Sequence, residues 1–241
     1  MQRYFASINK DYSVSFSNDD EHHITHVMRM RKGDEIEVVS QKKLFLCRIE
    51  SFNPLKVVVI HEISNDVELK SDITLLFALT KGDKTDLVLQ KATELGVKKV
   101  ALITSERTVV NYDNKDIDKK LMRFNKIMKE ASEQSHRLVV PELLGIFSLK
   151  DLPEYLYSEL NYVAYEKDAN QVESIFPSFK KDKSISILIG PEGGFSIQEI
   201  DLLTNKGFIR TSLGKRILRA ETAAIYALSV LGYLLENEKA I

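Results

Sequence analysis

The pattern of apolar and polar positions changes rhythm near residue 70. Before it, "EIEVV", "KLFLCRIES" and "LKVVVIHEI" follow one another, separated only by "SQK" and "FNP". Runs of this length rich in β-branched residues and bounded by turn formers predict strands. Several in succession predict a small closed barrel. A short helical piece around "DDEHHITHVMR" and the turn "RKGDE" come first. The stretch "SNDVELKSD" is polar and without period, which sets a boundary there and divides the chain into domains 1–70 and 71–241.

From residue 73 strands and helices alternate. "ITLLFALT" has almost no polar interruption, as strands covered on both faces do. "DKTDLVLQKATEL" is a helix, with Leu87, Gln90, Lys91 and Glu94 marking its turns and Gly96 as its stop. "KKVALITS" completes a βαβ unit. A helix from about Ile117 to Ser132 carries an apolar stripe of Leu121, Phe124, Met128 and Ala131, with Lys120, Arg123 and Lys129 off it. "LNYVAYE", "SISILIG" and "FIRTSLG" supply further strands, and the chain closes on "RAETAAIYALSVLGYLLENE". That last helix is apolar around much of its circumference, so it is buried in the core or against a second subunit. The expected class is therefore α/β behind an N-terminal β domain.

Between two of these elements lies "ILIGPEGGFSIQEI". Ile197, Ile200 and Leu203 have helical spacing, so the stretch is strand, glycine loop, helix, with Ser196 as N-cap and Glu199 as its capping-box partner. Ligands of α/β proteins sit at such strand ends. The loop is not a Walker A loop, a dinucleotide fingerprint or a nucleophile elbow, because "GPEGG" lacks the spacing or the serine that each needs. Two more strand ends resemble it. "SLGKRILRAETAA" brings Lys215, Arg216 and Arg219 ahead of the terminal helix, and "FALTKGDK" brings Gly82 with Lys81 and Lys84. Three such loops can converge on one pocket, where backbone groups hold an adenine edge and a ribose and the cations suit a polyanion.

Composition narrows the choice. Lys and Arg total 34 against 35 Asp and Glu, a net charge of −1, so any nucleic acid must be met by local patches and not by a global field. No apolar run reaches membrane-span length and the N-terminus lacks a signal-peptide core, so a cytoplasmic protein is expected. Cys47 is the one cysteine; it alternates with Phe45 and Ile49 and is read as a core residue. His22 and His26 are four apart, yet the motif lacks the glutamate of a zinc helix and a third ligand. They are taken as packing or surface histidines, and no metal is expected.

"RMRKGD", "QKATELGVKKVALITSER", "EQSHRLVVPEL", "ILIGPEGGFS" and "LGKRILRAETAA" occur in that order. Together they resemble the ribosomal RNA small subunit methyltransferase E family, the uridine-N3 methyltransferases of 16S rRNA in the SPOUT class. The resemblance spans nearly the whole chain. It implies an N-terminal PUA-like β-barrel that binds RNA and a C-terminal α/β domain tied in a deep trefoil knot. It further implies S-adenosylmethionine as cofactor, a homodimer, and 16S rRNA within the small ribosomal subunit as partner. Where relatives have A-C-E-Q-C-G-R, this chain has "ASEQSHR", with Ser132, Ser135 and His136 as departures.

The family motifs imply that Leu79, Thr80, Ile189, Gly190, Gly194, Leu213, Gly214, Ile217, Leu218 and Ala223 hold the cofactor. Arg29, Lys81, Lys84, Arg107, Arg137, Glu192 and Glu221 are the implied substrate contacts. A uridine N3 is a poor nucleophile until its proton leaves, and the developing charge spreads onto two carbonyl oxygens. Arg219 is the first choice to stabilise that charge and Arg3 the second, with Glu192 or Glu221 as proton acceptor. Two rivals remain open at this point: a nucleotide-dependent enzyme using the same loops, which would need a magnesium carboxylate and a P-loop, and a non-catalytic RNA-binding module.

Overall fold

The computed structural model describes residues 1–110, 114–168 and 175–237. The chain divides into one unit of Met1–Glu68 with Ser132–Val139, and a second of Leu69–Ala131 with the chain from Val140 onward. In the first unit the three strand-like runs become β4 (Glu35–Ser40), β5 (Lys43–Phe52) and β6 (Leu55–Ile63), an antiparallel meander. Before them come β1 (Arg3–Phe5), β2 (Ser7–Ile8), β3 (Val14–Ser15) and α1 (Asn18–His22), followed by a single π-helical segment, His23–Val27. Strand β1 adds to β4 in parallel, giving the order β1-β4-β5-β6, while β2 and β3 form a separate ribbon. Alternation buries Ile36, Val38, Cys47, Ile49 and Val57 around Tyr4 and Ile24. Burial also pushes the Cys47 thiol up to about 12, so it behaves as an apolar core group.

The second unit is built on six strands: β7 (Ile73–Ala78), β8 (Lys99–Thr104), β9 (Glu142–Ser148), β10 (Leu160–Ala164), β11 (Ile185–Ile189) and β12 (Ile209–Thr211). Their order is β12-β10-β11-β7-β8-β9 and every pairing is parallel. Helices α2 (Lys84–Glu94), α3 (Asn114–Gln134), α4 (Ile197–Asn205) and α5 (Ala220–Glu236) connect or follow them. All six residues of β7 and all five of β11 are buried, as a central parallel strand requires. Gly96 ends α2 with φ +86°, the left-handed turn that suits glycine. Phe124, Met128 and Ala131 are the buried stripe of α3.

Strand β9 was not expected: its burial is only partial and Gly145 interrupts it, so "ELLGIFS" carries no clean period. In α5, Ala223, Ala224, Ala227, Leu228 and Leu231 pack into the core while Tyr226 and Tyr233 stay exposed. No helix among the described residues is long and apolar enough to cross a membrane.

Candidate functional site

In the strand order, β10 lies between β11 and β12, so the carboxyl ends of these three strands are neighbours. A cavity of about 400 Å³ opens there, within the span usual for small-molecule sites. Its walls are three segments: Ala164–Glu166 after β10, Ile189–Phe195 after β11, and the stretch from Leu213 to Ala223 that enters α5.

The glycine loop owes its form to short-range bonds. The Gly194 N–H donates to the Pro191 carbonyl at 2.9 Å, closing a tight turn around Glu192 and Gly193, and Gly194 itself has φ +64°. The turn runs straight into α4, where Ser196 and Glu199 form the expected capping box. A side chain at Gly190 would put its Cβ 2.9 Å from the buried Phe195 ring, so this glycine is needed for the loop to fold on itself. Gly214 has φ +109° and open space where a Cβ would stand. Its N–H donates to Ser212 Oγ at 3.3 Å, which fixes the approach of the second loop.

Of the residues expected to hold a cofactor, Ile189, Gly190, Gly194, Leu213, Gly214, Ile217, Leu218 and Ala223 line this cavity. Leu79 and Thr80 do not. They are buried at the end of β7, and Thr80 Oγ1 pairs with Thr85 Oγ1 at 3.2 Å. The third wall comes from the end of β10, which touches both β11 and β12, while β7, the other neighbour of β11, brings Leu79 and Thr80 to the same end of the sheet. Tyr165 and Glu166 were missed because no local signal places β10 between β11 and β12, whereas Phe195 belongs to the glycine loop itself and packs against Gly190. Only the glutamate directly after a recognised strand end could have signalled Glu166.

The loop after β7 reaches the cavity rim through one side chain. Lys84 Nζ lies 2.9 Å from Glu192 Oε1 and 3.9 Å from Glu221 Oε2. Burial pushes the Glu192 carboxyl up, but the Lys84 hydrogen bond, the loop's own N–H and the charges of Lys84 and Lys81 outweigh it. The net position is below the ordinary carboxylate range. Glu192 lines the cavity and Glu221 does not; Glu221 Oε2 is buried without a hydrogen-bond partner. Lys81 is exposed beside Gly82.

The arginines separate into two kinds. Arg219 and Arg216 are exposed on the cavity wall, and Arg219 is the N-terminal flanking residue of α5. Arg219 has no side-chain hydrogen-bond or salt-bridge partner among the described residues, so its guanidinium is available. Arg107 is exposed but committed, its Nη1 donating to the Gly193 carbonyl at 2.8 Å.

In the first unit Arg3 and Arg137 are both nearly fully buried. Arg3 donates to Glu37 at 2.9 Å through Nε and to the His136 and Arg137 carbonyls through Nη1. Arg137 is held by Glu68, with Nη2 and Oε2 at 2.6 Å. Arg3 and Arg137, expected at the substrate, thus spend their donors inside the unit. Arg29 is exposed with φ +51°. The His22 and His26 rings stack at 4.6 Å, and no group of three metal-binding side chains occurs among the described residues.

A family model described as an RNA methyltransferase domain matches residues 67–232, and one described as an RNA methyltransferase PUA domain matches residues 16–60. The chain is 37% identical to ribosomal RNA small subunit methyltransferase E of Bacillus subtilis, with 98% of each chain covered. It is 33% identical to ribosomal RNA small subunit methyltransferase E 2 of Borreliella burgdorferi over 90% of this chain and 89% of that one. A solved structure of ribosomal RNA small subunit methyltransferase E from Neisseria gonorrhoeae, bound to S-adenosyl methionine, matches with a TM-score of 0.84 at 29% identity, covering 97% of this chain and 98% of that one. An RNA methyltransferase domain behind a PUA domain, in chains that match from end to end, is decisive: this chain belongs to the ribosomal RNA small subunit methyltransferase E family.

Proposed function

We propose that the chain transfers the methyl group of S-adenosylmethionine to N3 of a uridine in the 16S RNA of the small ribosomal subunit. The observation that carries this reading is the cavity at the ends of β10, β11 and β12, in a chain of this family. The residues present fit the cofactor. Ile189, Leu218 and Ala223 give apolar contact surface, Gly190, Gly194 and Gly214 expose backbone polar groups, and the open space at Gly214 leaves a cradle that any Cβ would fill. When bound, S-adenosylmethionine supplies a methyl group activated by a positively charged sulfur.

The chain's own residues orient and stabilise. Arg219, with a free guanidinium on the cavity wall, neutralises charge that builds on the uracil carbonyl oxygens as N3 is deprotonated. Glu192, kept ionised by Lys84 and lining the cavity, is the carboxylate that accepts a proton. Leu79 and Thr80, buried at the carboxyl end of β7 beside β11, are further cofactor contacts in this reading. Arg3 and Arg137 brace the first unit, while Arg29 and Lys81 stand on exposed positions suited to phosphate contact, and Arg107, exposed as well, holds the Gly193 carbonyl. N3 lies on the Watson–Crick edge, so the target base is unpaired or flipped when it reacts.

The domain roles follow the same reading: residues 1–70 bind RNA as a PUA-like barrel, and 71–241 carry the methyltransferase site. The hydrogen bond from the Val59 N–H to the Tyr12 carbonyl, which joins β6 to the ribbon, supports closure of that barrel. Membership of the family is what supports a knotted C-terminal segment. The outward Tyr226 and Tyr233 of α5 suit a homodimer contact, and a ribosomal RNA substrate suits a cytoplasmic protein. Calorimetry with S-adenosylmethionine and with ATP tests the reading. Binding of the former alone supports it; binding of ATP alone overturns it in favour of a nucleotide-dependent enzyme.

A further inference from the structure

Glu199 is more deeply buried than an ordinary helix cap requires, at 4% exposure. Its Oε2 accepts from the Ser196 N–H at 2.9 Å, which completes the capping box. Its Oε1 accepts from the Glu106 N–H at 2.8 Å, in the loop after β8. One carboxylate thus joins the start of α4 to a loop more than ninety residues earlier in the chain.

That second loop returns to the glycine turn. Arg107, next to Glu106, donates from Nη1 to the Gly193 carbonyl at 2.8 Å. Its aliphatic stem covers Gly193 so closely that a Cβ there would meet Arg107 Cβ at 3.2 Å. Gly193 and Gly194 are therefore held on two sides. Glu199 and Ser196 fix the chain that leaves them, and Arg107 covers the turn itself. The cavity lies against the same residues. A buried carboxylate costs free energy unless each oxygen is bonded, and here both are, by donors from two different loops.

We infer that Glu199 is a positioning residue for the methyl donor: through Glu106 and Arg107 it sets the shape of the Gly193–Gly194 wall, and so governs cofactor affinity ahead of the chemical step. This rests on the methyltransferase reading above. Arg107 then acts chiefly on the glycine turn. A glutamine at 199 has one acceptor oxygen where two N–H donors converge. Its amide would face one of them donor to donor, and either the cap or the tie to Glu106 opens.

The test uses the full-length protein, with calorimetric titration of S-adenosylmethionine, thermal melting, and the methylation rate at saturating cofactor. Glu199→Gln is expected to raise Kd about tenfold, while kcat at saturation falls no more than about threefold. Arg107→Ala, an exposed change that spares α4, is expected to raise Kd about threefold. The double variant should raise it by less than the product of the two, because both act on one wall. A mere stabilising cap predicts something else: a lower melting temperature with Kd within twofold of the parent. That result, for Arg107→Ala and for whatever Glu199→Gln protein folds, overturns the inference. Absence of binding by the unaltered protein would instead overturn the methyltransferase reading.

Discussion

Replacing Arg219 by alanine separates a catalytic group from a structural one. Its guanidinium has no partner among the described residues, and it stands exposed on the cavity wall just ahead of α5. Removing it breaks no side-chain hydrogen bond or ion pair, so the stability change should stay within about 0.5 kcal/mol, the usual range for a surface substitution. For a chain of this length that corresponds to roughly 1–2 °C in Tm. The backbone carbonyl of Arg219, which accepts from the Ala223 N–H at 2.8 Å, is untouched by the change. In the transition state the effect should be far larger. Loss of one donor aimed at developing negative charge costs on the order of 10²–10³ in rate. The exposed setting, screened until RNA covers it, argues for the lower end, about a hundredfold. The assay pairs methyl incorporation at saturating S-adenosylmethionine with cofactor Kd and Tm for the same preparation. A hundredfold slower rate with Kd within a few-fold and Tm nearly constant is expected. Parallel losses of Tm and affinity, with the rate following binding, would refute the assignment and make Arg219 a brace of the loop.

Three further outcomes are expected. Gly194→Val should abolish cofactor binding by calorimetry, because φ +64° is strained for a β-branched residue and a Cβ would sit 3.3 Å from Glu166 Oε1. His136→Gly should raise Tm by about 1–2 °C in a melting scan: φ +58° costs a non-glycine residue roughly 1–2 kcal/mol, and the greater unfolded-state freedom of glycine together with the lost half-exposed contact of His136 Nδ1 with Glu37 at 3.1 Å offsets much of it. Alkaline melting should show stability falling as pH rises from about 9 to 12. Burial raises Cys47 from 9.0 and Tyr4 and Tyr162 from 10.0, each to about 12, so the folded state keeps protons that the unfolded chain has released. A flat Tm across that window would contradict the burial of these groups.

What the sequence disclosed was what neighbouring residues settle among themselves. The Ser196–Glu199 box, the Gly96 stop and the buried runs of β7 and β11 depend on spacing within a few positions, and each was legible. Pairings across long separations were not. Strand β1 joins β4 across 34 positions, as Arg3 opposite Glu37, and nothing in "RYF" advertises it. The same limit governs the site. Two of its three loops carry glycines that mark them, whereas Ala164–Glu166 enters the cavity only because β10 lies between β11 and β12. Arg3 and Arg137 illustrate the converse. The family resemblance made them candidates, and Glu37 and Glu68 hold both side chains in buried bonds that no local pattern announces. Glycines also have more than one reason to be there: Gly190 yields space to Phe195, while Gly214 faces an opening.

The most direct test of the account is to incubate the protein with S-adenosylmethionine and small ribosomal subunits that lack the modification, then digest the 16S RNA to nucleosides and weigh them. The account predicts one 3-methyluridine per subunit, formed by the parent protein and about a hundredfold more slowly by Arg219→Ala. A methyl group on another atom or another base, or none at all from a protein that binds the cofactor, would contradict it.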